Sequence, residues 1–144
     1  MSETKLNSIV LLDAVRAITT RHPVTVAEKM AFLNTWCNAD YVAITASGQV
    51  YEYEIKISRC DYLRDFKKPR HEIYSDRKRG KKPNRFWYVM PPGIAHDDLP
   101  SWAGLYEFKD GELTEVVKAP LMWSGKHEIR TILQCAAAMK RRGI

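Results

Sequence analysis

The chain has 144 residues, 45% of them hydrophobic and 28% charged, and a net charge of +6. That is the size and balance of one globular domain with a single apolar core, so residues 1–144 are read as one domain. No stretch approaches the roughly 18–20 uninterrupted apolar residues of a membrane span, which excludes a membrane-spanning helix.

The charge is unevenly placed. Between Arg64 and Arg85 ten basic residues face three acidic ones, a balance of +7 that leaves the rest of the chain at −1. Such a concentration suits a polyanion, whose condensed counterions are released when its phosphates are neutralised. A solvated loop is the other reading of the same charge.

Taken in chain order, residues 6–21 predict a helix, with Leu6, Ile9, Val10, Ala14, Ala17 and Ile18 recurring at three- and four-residue steps. The early apolar run Ile9–Leu12 is four residues long and followed by Asp13, so it reads as neither signal peptide nor anchor. His22-Pro23 closes the helix. Thr25-Val26-Ala27-Glu28 has the Thr-x-x-Glu form of a capping box and predicts a short second helix. Residues 30–37 either continue it or form a first strand, and strand is favoured. Cys37, Cys60 and Cys135 are widely spaced with no Cys-x-x-Cys, which points to reduced thiols and a cytoplasmic protein.

Asp40–Ala46 is a short apolar strand, Ser47-Gly48 a turn, and Val50–Ser58 a strand of strict alternation. Tyr51, Tyr53, Ile55 and Ile57 share one face; Glu52, Glu54, Lys56 and Ser58 share the other. Ser58-Arg59-Cys60-Asp61 caps a helix that carries Tyr62, Leu63 and Phe66 inward and stops before Pro69. A helical turn at 70–76 and an exposed basic loop at 77–84 follow. Phe86–Met90 is a compact apolar strand, with Phe86 and Tyr88 in the core, ended by Pro91-Pro92-Gly93. Gly104–Lys109 and Glu112–Lys118 form a hairpin about Asp110-Gly111, and 124–142 predicts a final helix burying Ile129, Ile132, Leu133, Ala136 and Met139. His96-Asp97-Asp98 looks like a metal cluster but lies between prolines and reads as a loop.

Glu54 and Lys56 stand two residues apart on one strand face, about 6.6 Å by backbone rise. A two-residue turn at Ser47-Gly48 would set Asp40 opposite Ile55, on the wrong face. A three-residue loop, Ala46–Gly48 with Gly48 left-handed, pairs Thr45 with Gln49 and sets Asp40 opposite Glu54, their Cβ atoms roughly 5 Å apart. Two carboxylates that close call for a cation between them, and the oxygen donors suit Mg²⁺ or Mn²⁺.

Asp40, followed after a glycine turn by Glu54-Ile55-Lys56, resembles the Asp…(Asp/Glu)-x-Lys signature of the PD-(D/E)XK, or restriction-endonuclease-like, superfamily. Tyr53–Ser58 with Asp61, Phe66 and Lys67-Lys68 resembles its small phage-encoded and DNA-repair members, over about residues 38–120. Ala39 stands where the pattern has proline. The resemblance implies an α/β fold with a restriction-endonuclease-like core, a mixed four- to five-stranded sheet flanked by helices on both faces. It implies a metal-dependent deoxyribonuclease with Asp40, Glu54 and Lys56 catalytic, and Asp40, Glu54 and the Ile55 carbonyl holding Mg²⁺, for which Mn²⁺ would substitute. Many members add an acid from the preceding helix, for which Glu28 is the candidate, with Asp13 behind it. DNA is the expected partner, through Lys67, Lys68, Arg70, His71, Arg77, Lys78, Arg79, Lys81 and Lys82, and a homodimer is compatible with a chain this small. The alternative is a catalytically inactive DNA-binding module or accessory subunit that keeps the fold.

Overall fold

A computed structural model describes residues 7–31, 38–76 and 82–124. Six strands run in sequence order across one sheet: β1 (Val24–Ala31), β2 (Asn38–Ile44), β3 (Val50–Ile55), β4 (Arg85–Met90), β5 (Ala103–Lys109) and β6 (Glu112–Val117). The pairs β1–β2, β2–β3 and β5–β6 are antiparallel, whereas β3–β4 and β4–β5 are parallel, so the sheet is mixed. Among the described residues the helices are α1 (Ser8–Ile18), α2 (Arg59–Asp65) and α3 (Arg70–Ser75). None is long and apolar enough to cross a membrane. The predicted C-terminal helix lies outside the described residues from position 125 onward, as do Cys37 and Cys135.

Among the described residues the sheet has one strand more than the four or five expected, and β1 starts at Val24, ahead of the strand favoured over 30–37, of which 32–37 lie outside the described residues. The capping box at Thr25–Glu28 is overridden: Val24, Thr25 and Val26 are β-branched residues that favour a pleated strand, and they pair with Ile44, Ala43 and Val42 of β2. Between Ala27 and Met30 the register shifts, and Glu28 falls in that irregular stretch.

The β2–β3 hairpin closes as its turn chemistry requires. Thr45 donates its N–H to Gln49 O at 2.9 Å, and Gly48 N–H returns to Thr45 O at 2.9 Å. Gly48 holds φ at +86°, where a side chain would be strained. The register runs from Ile44 opposite Val50 to Tyr41 opposite Tyr53, and one further step sets Asp40 opposite Glu54. Asp110 (φ 53°) and Gly111 (φ 80°) turn the β5–β6 hairpin in the same left-handed region.

Each face of the sheet has its own cover. Leu11 and Val15 of α1, fully buried, pack on Tyr41, Ala43, Tyr53, Ile55, Trp87 and Val89. Each such aliphatic side chain contributes roughly 1.5–3 kcal/mol by leaving water. The buried stripe is not the predicted one, since Ile9 and Ile18 of α1 are exposed. On the other face Tyr62 of α2 and Ile73 and Tyr74 of α3 pack on Phe86, Tyr88, Met90 and Leu105. Ser58 caps α2 by accepting the Asp61 N–H at 3.1 Å. Tyr62 and Asp65 are the inward residues of α2, whereas Leu63 is exposed. Asp98 takes a two-pronged ion pair from Arg59 (3.2 and 2.6 Å), so the His96–Asp98 segment ties a loop to α2.

Candidate active site

The polar residues of β3 do not face water. Glu52, Glu54 and Lys56 are almost completely buried beneath α2 and α3, together with Asp65 and Arg70. The parallel step from β3 to β4 explains this, because its crossover carries both helices back over that face.

Lys56 Nζ lies 3.3 Å from Glu54 Oε1 and 3.3 Å from Asp65 Oδ1. Lys68 Nζ approaches the same two oxygens, at 3.6 and 3.1 Å, but its side chain is 42% exposed. The Arg70 guanidinium, with no exposure, bridges Glu52 Oε2 (3.3 Å) and Glu54 Oε2 (3.1 Å) over the ring of Phe86. Tyr74 donates its hydroxyl to Glu52, and Tyr88 donates to Asp65 Oδ2. His71 Nε2 stands 3.1 Å from Asp65 Oδ2 and 3.0 Å from the Tyr88 hydroxyl. Asp40, at the rim, accepts the Ile55 N–H on Oδ2 at 2.9 Å.

Four carboxylates therefore converge with three cations at the end of β3, and their proton affinities diverge. Burial, then the charge of Glu54, raises the Asp40 carboxyl to about 6. Burial raises Glu52 to about 7 against the opposing pull of Arg70 and Tyr74. Burial would raise Asp65 as well, but His71, Arg70, Tyr88 and Lys56 overcome it and hold this acid far below the usual carboxylate range. The divergence follows from unequal burial and unequal pairing within one cluster.

Asp40, Glu54 and Lys56 meet on one face, as the register argument expects. The other expected site residues divide. Lys67 is exposed, Lys68 half-exposed and His71 partly buried against Asp65. Arg70 and Lys82 are corrections: both are buried, Arg70 in its carboxylate bridge and Lys82 with Nζ on Asp76 O at 2.6 Å, so neither side chain is presented to a phosphate backbone. Arg77, Lys78, Arg79 and Lys81 lie outside the described residues. Glu28 belongs to a strand and not to a preceding helix, and its side chain is outside the described part. Asp13 is exposed on α1, the helix that covers the opposite face.

Sequence reasoning missed Asp65, and it set Glu52 on the face of Glu54 without giving it a role. The signal for Asp65 was its position three residues after Tyr62, on the buried stripe of a capped helix. Counting it only as a neutralising charge in a basic segment hid it.

A divalent cation is a fair fit to the donor chemistry here, since Asp40, Glu54 and the Ile55 carbonyl supply hard oxygens. Both Glu54 oxygens nevertheless already face ammonium or guanidinium groups. No group of three or more His, Cys, Asp or Glu side chains among the described residues is arranged to hold a metal. An ion at Glu54 would have to share it with Arg70 and displace Lys68, the one of its three cations with substantial exposure.

No family model matches the chain, and no curated protein matches it. The fold is similar to that of a protein of unknown function from Silicibacter pomeroyi, with a TM-score of 0.64 over 90% of this chain and 85% of that one. At 20% identity this likeness extends to the fold alone.

Proposed function

We propose that this chain is a metal-dependent nuclease of the PD-(D/E)XK type, built on a restriction-endonuclease-like core, that hydrolyses phosphodiester bonds in DNA. The observation that carries the reading is the convergence of Asp40, Glu54 and Lys56 on one hairpin face through an odd-length turn. Asp40, Glu54 and the Ile55 carbonyl would hold Mg²⁺ or Mn²⁺. Such an ion, when bound, supplies Lewis acidity and lowers the pKa of a coordinated water.

The remaining roles belong to the chain itself. Hydrolysis joins a water oxygen to phosphorus and breaks the ester bond to a sugar oxygen, so negative charge grows on the phosphoryl oxygens. Lys56, fixed between Glu54 and Asp65, presents a preorganised ammonium to that charge. Asp65 is a positioning residue, held ionised by His71, Tyr88 and Arg70. Lys68 can turn outward to a backbone phosphate, and Lys67 lies exposed beside it.

The test is cleavage of supercoiled DNA with millimolar Mg²⁺. Cutting should stop with a chelator, and Lys56→Ala should lower the rate by roughly 10²–10³-fold with DNA affinity retained in a gel-shift assay. Undiminished cutting by Lys56→Ala would place the chemistry elsewhere. A second reading, the non-catalytic DNA-binding module, is favoured by one observation: the buried Arg70 guanidinium already supplies a cation to the Glu52–Glu54 pair. DNA binding by the unaltered chain without cleavage under any divalent ion would select it.

A further inference from the structure

The face of the sheet opposite the carboxylates holds a cavity of about 350 Å³ at the end of α1, towards the lower end of the roughly 300–1,000 Å³ typical of small-molecule sites. Aromatic side chains form much of its lining: Tyr51 and Tyr53 of β3, Trp87 of β4 and Tyr106 of β5, with His22 set edge-on to Tyr51 at 5.7 Å. Tyr53 and Trp87 stack on each other at 5.0 Å and 10°, so that pair forms the closed floor. Tyr51 and Tyr106 are half-buried and pack against Trp87, edge-on at 66° and tilted at 43°, which leaves part of each side chain accessible.

Charge decides what this lining can receive. Aromatic walls accept either an organic cation, held on the ring faces, or a planar ring system, held by stacking. Arg21, Arg85 and Lys118 line the same cavity, which repels a cation. The one acid there, Glu115, accepts the Trp87 indole N–H at 2.8 Å. Arg85 gives one N–H to Ala119 O, and a guanidinium has five. Arg21 and Lys118 are exposed. Burial raises the Tyr53 and Tyr106 hydroxyls, so both stay neutral and add no negative charge.

We propose that this cavity binds a nucleotide, a planar base against Tyr51 and Tyr106 with its phosphate on Arg21, Arg85 and Lys118. The site shares no residue with the carboxylate cluster, and it stands or falls independently of the nuclease reading. A free nucleotide and the unpaired 5′-phosphorylated end of a single strand present the same chemistry.

The experiment is calorimetric titration of the whole chain, in chelator, with deoxyadenosine 5′-monophosphate, deoxyadenosine, inorganic phosphate and a 5′-phosphorylated single-stranded oligonucleotide. The monophosphate should bind at least tenfold more tightly than deoxyadenosine or phosphate alone. Tyr51→Ala should weaken it roughly ten- to a hundredfold, as loss of one stacking partner does. Arg21→Glu with Lys118→Glu, both at exposed positions that leave the core intact, should erase the advantage of the phosphate while sparing deoxyadenosine. Tighter binding of the oligonucleotide would make the strand end the source, and equal binding the free nucleotide; either supports the site. No binding of monophosphate or oligonucleotide at millimolar concentration would overturn it. So would binding indifferent to these variants and lost instead in Lys56→Ala with Lys68→Ala. If cleavage is absent but the monophosphate binds as described, only the nuclease reading fails.

Discussion

Strand β3 feeds two opposite kinds of interior from one alternating sequence. Tyr51, Tyr53 and Ile55 enter a face covered by α1, where rings and aliphatic groups meet. Glu52, Glu54 and Lys56 enter a face covered by α2 and α3, where carboxylates meet Arg70, Lys56 and Lys68. Both sets are buried, apart from half-buried Tyr51, so burial alone does not tell a packing face from a chemical one. The difference is directional: the apolar face gains from each methylene independently, whereas each charge on the polar face depends on a partner that must also be present.

Removing one partner on the polar face should have the largest effect on stability. Arg70→Met strands Glu52 and Glu54 without their shared cation and should destabilise the fold by roughly 3–5 kcal/mol in urea denaturation. Adding Glu52→Gln should recover a measurable part of that loss, because it removes an acid that without Arg70 must stay buried unpaired or take up a proton. Two additive losses would break the comparison, since additivity belongs to groups that share no partner.

A second contrast is pH. In the folded chain Asp40 sits at about 6, above its ordinary 3.8. The folded state therefore holds more protons than the unfolded one between those values, and this group's contribution falls as pH rises from about 4 to about 6. Asp40→Asn in chelator should gain on the parent across that window, by on the order of 2 kcal/mol after allowance for partial exposure. A difference between the two proteins that does not change with pH would show that Asp40 titrates as an ordinary surface acid. On the apolar face Leu11→Ala should lose the same stability at both ends of the window.

A third contrast tests the fit of the aromatic side. A Cβ on Gly104 would lie 2.5 Å from Trp87 Cδ1 and 2.6 Å from the Ala119 backbone nitrogen. Gly104→Ala should therefore cost about 1–3 kcal/mol by overpacking, with a changed near-ultraviolet circular dichroism from the displaced indole. An unchanged melting temperature would mean that this wall yields easily.

Much of the architecture was legible because it rests on short-range chemistry. The Ser47-Gly48 turn, the alternation of Val50–Ser58 and the Asp110-Gly111 turn each dictate a strand pair without outside help. The start of the first strand was misread, because Thr25–Glu28 carries a genuine helix-start pattern that only pairing with β2 overrides; strand was favoured only from residue 30. The inward turn of Arg70 was equally hidden. Among ten basic residues in one segment, nothing local distinguishes the guanidinium that finds two buried carboxylates from those that meet solvent. Asp40, Glu54 and Lys56 could be brought together from the sequence because a hairpin fixes them. Asp65 could not, since a crossover brings it in.

That crossover has a consequence for how the chain assembles. Every strand neighbours the next in sequence, and hairpins such as β2–β3 and β5–β6 close over a handful of residues and form on a microsecond scale. The join from β3 to β4 must first close a loop of about thirty residues, so its entropy is lost before any contact repays it. Asp65, Lys68 and Arg70 all ride on that loop. Glu52 and Glu54, set by a local hairpin, thus gain their shared cation only through a contact that spans that loop.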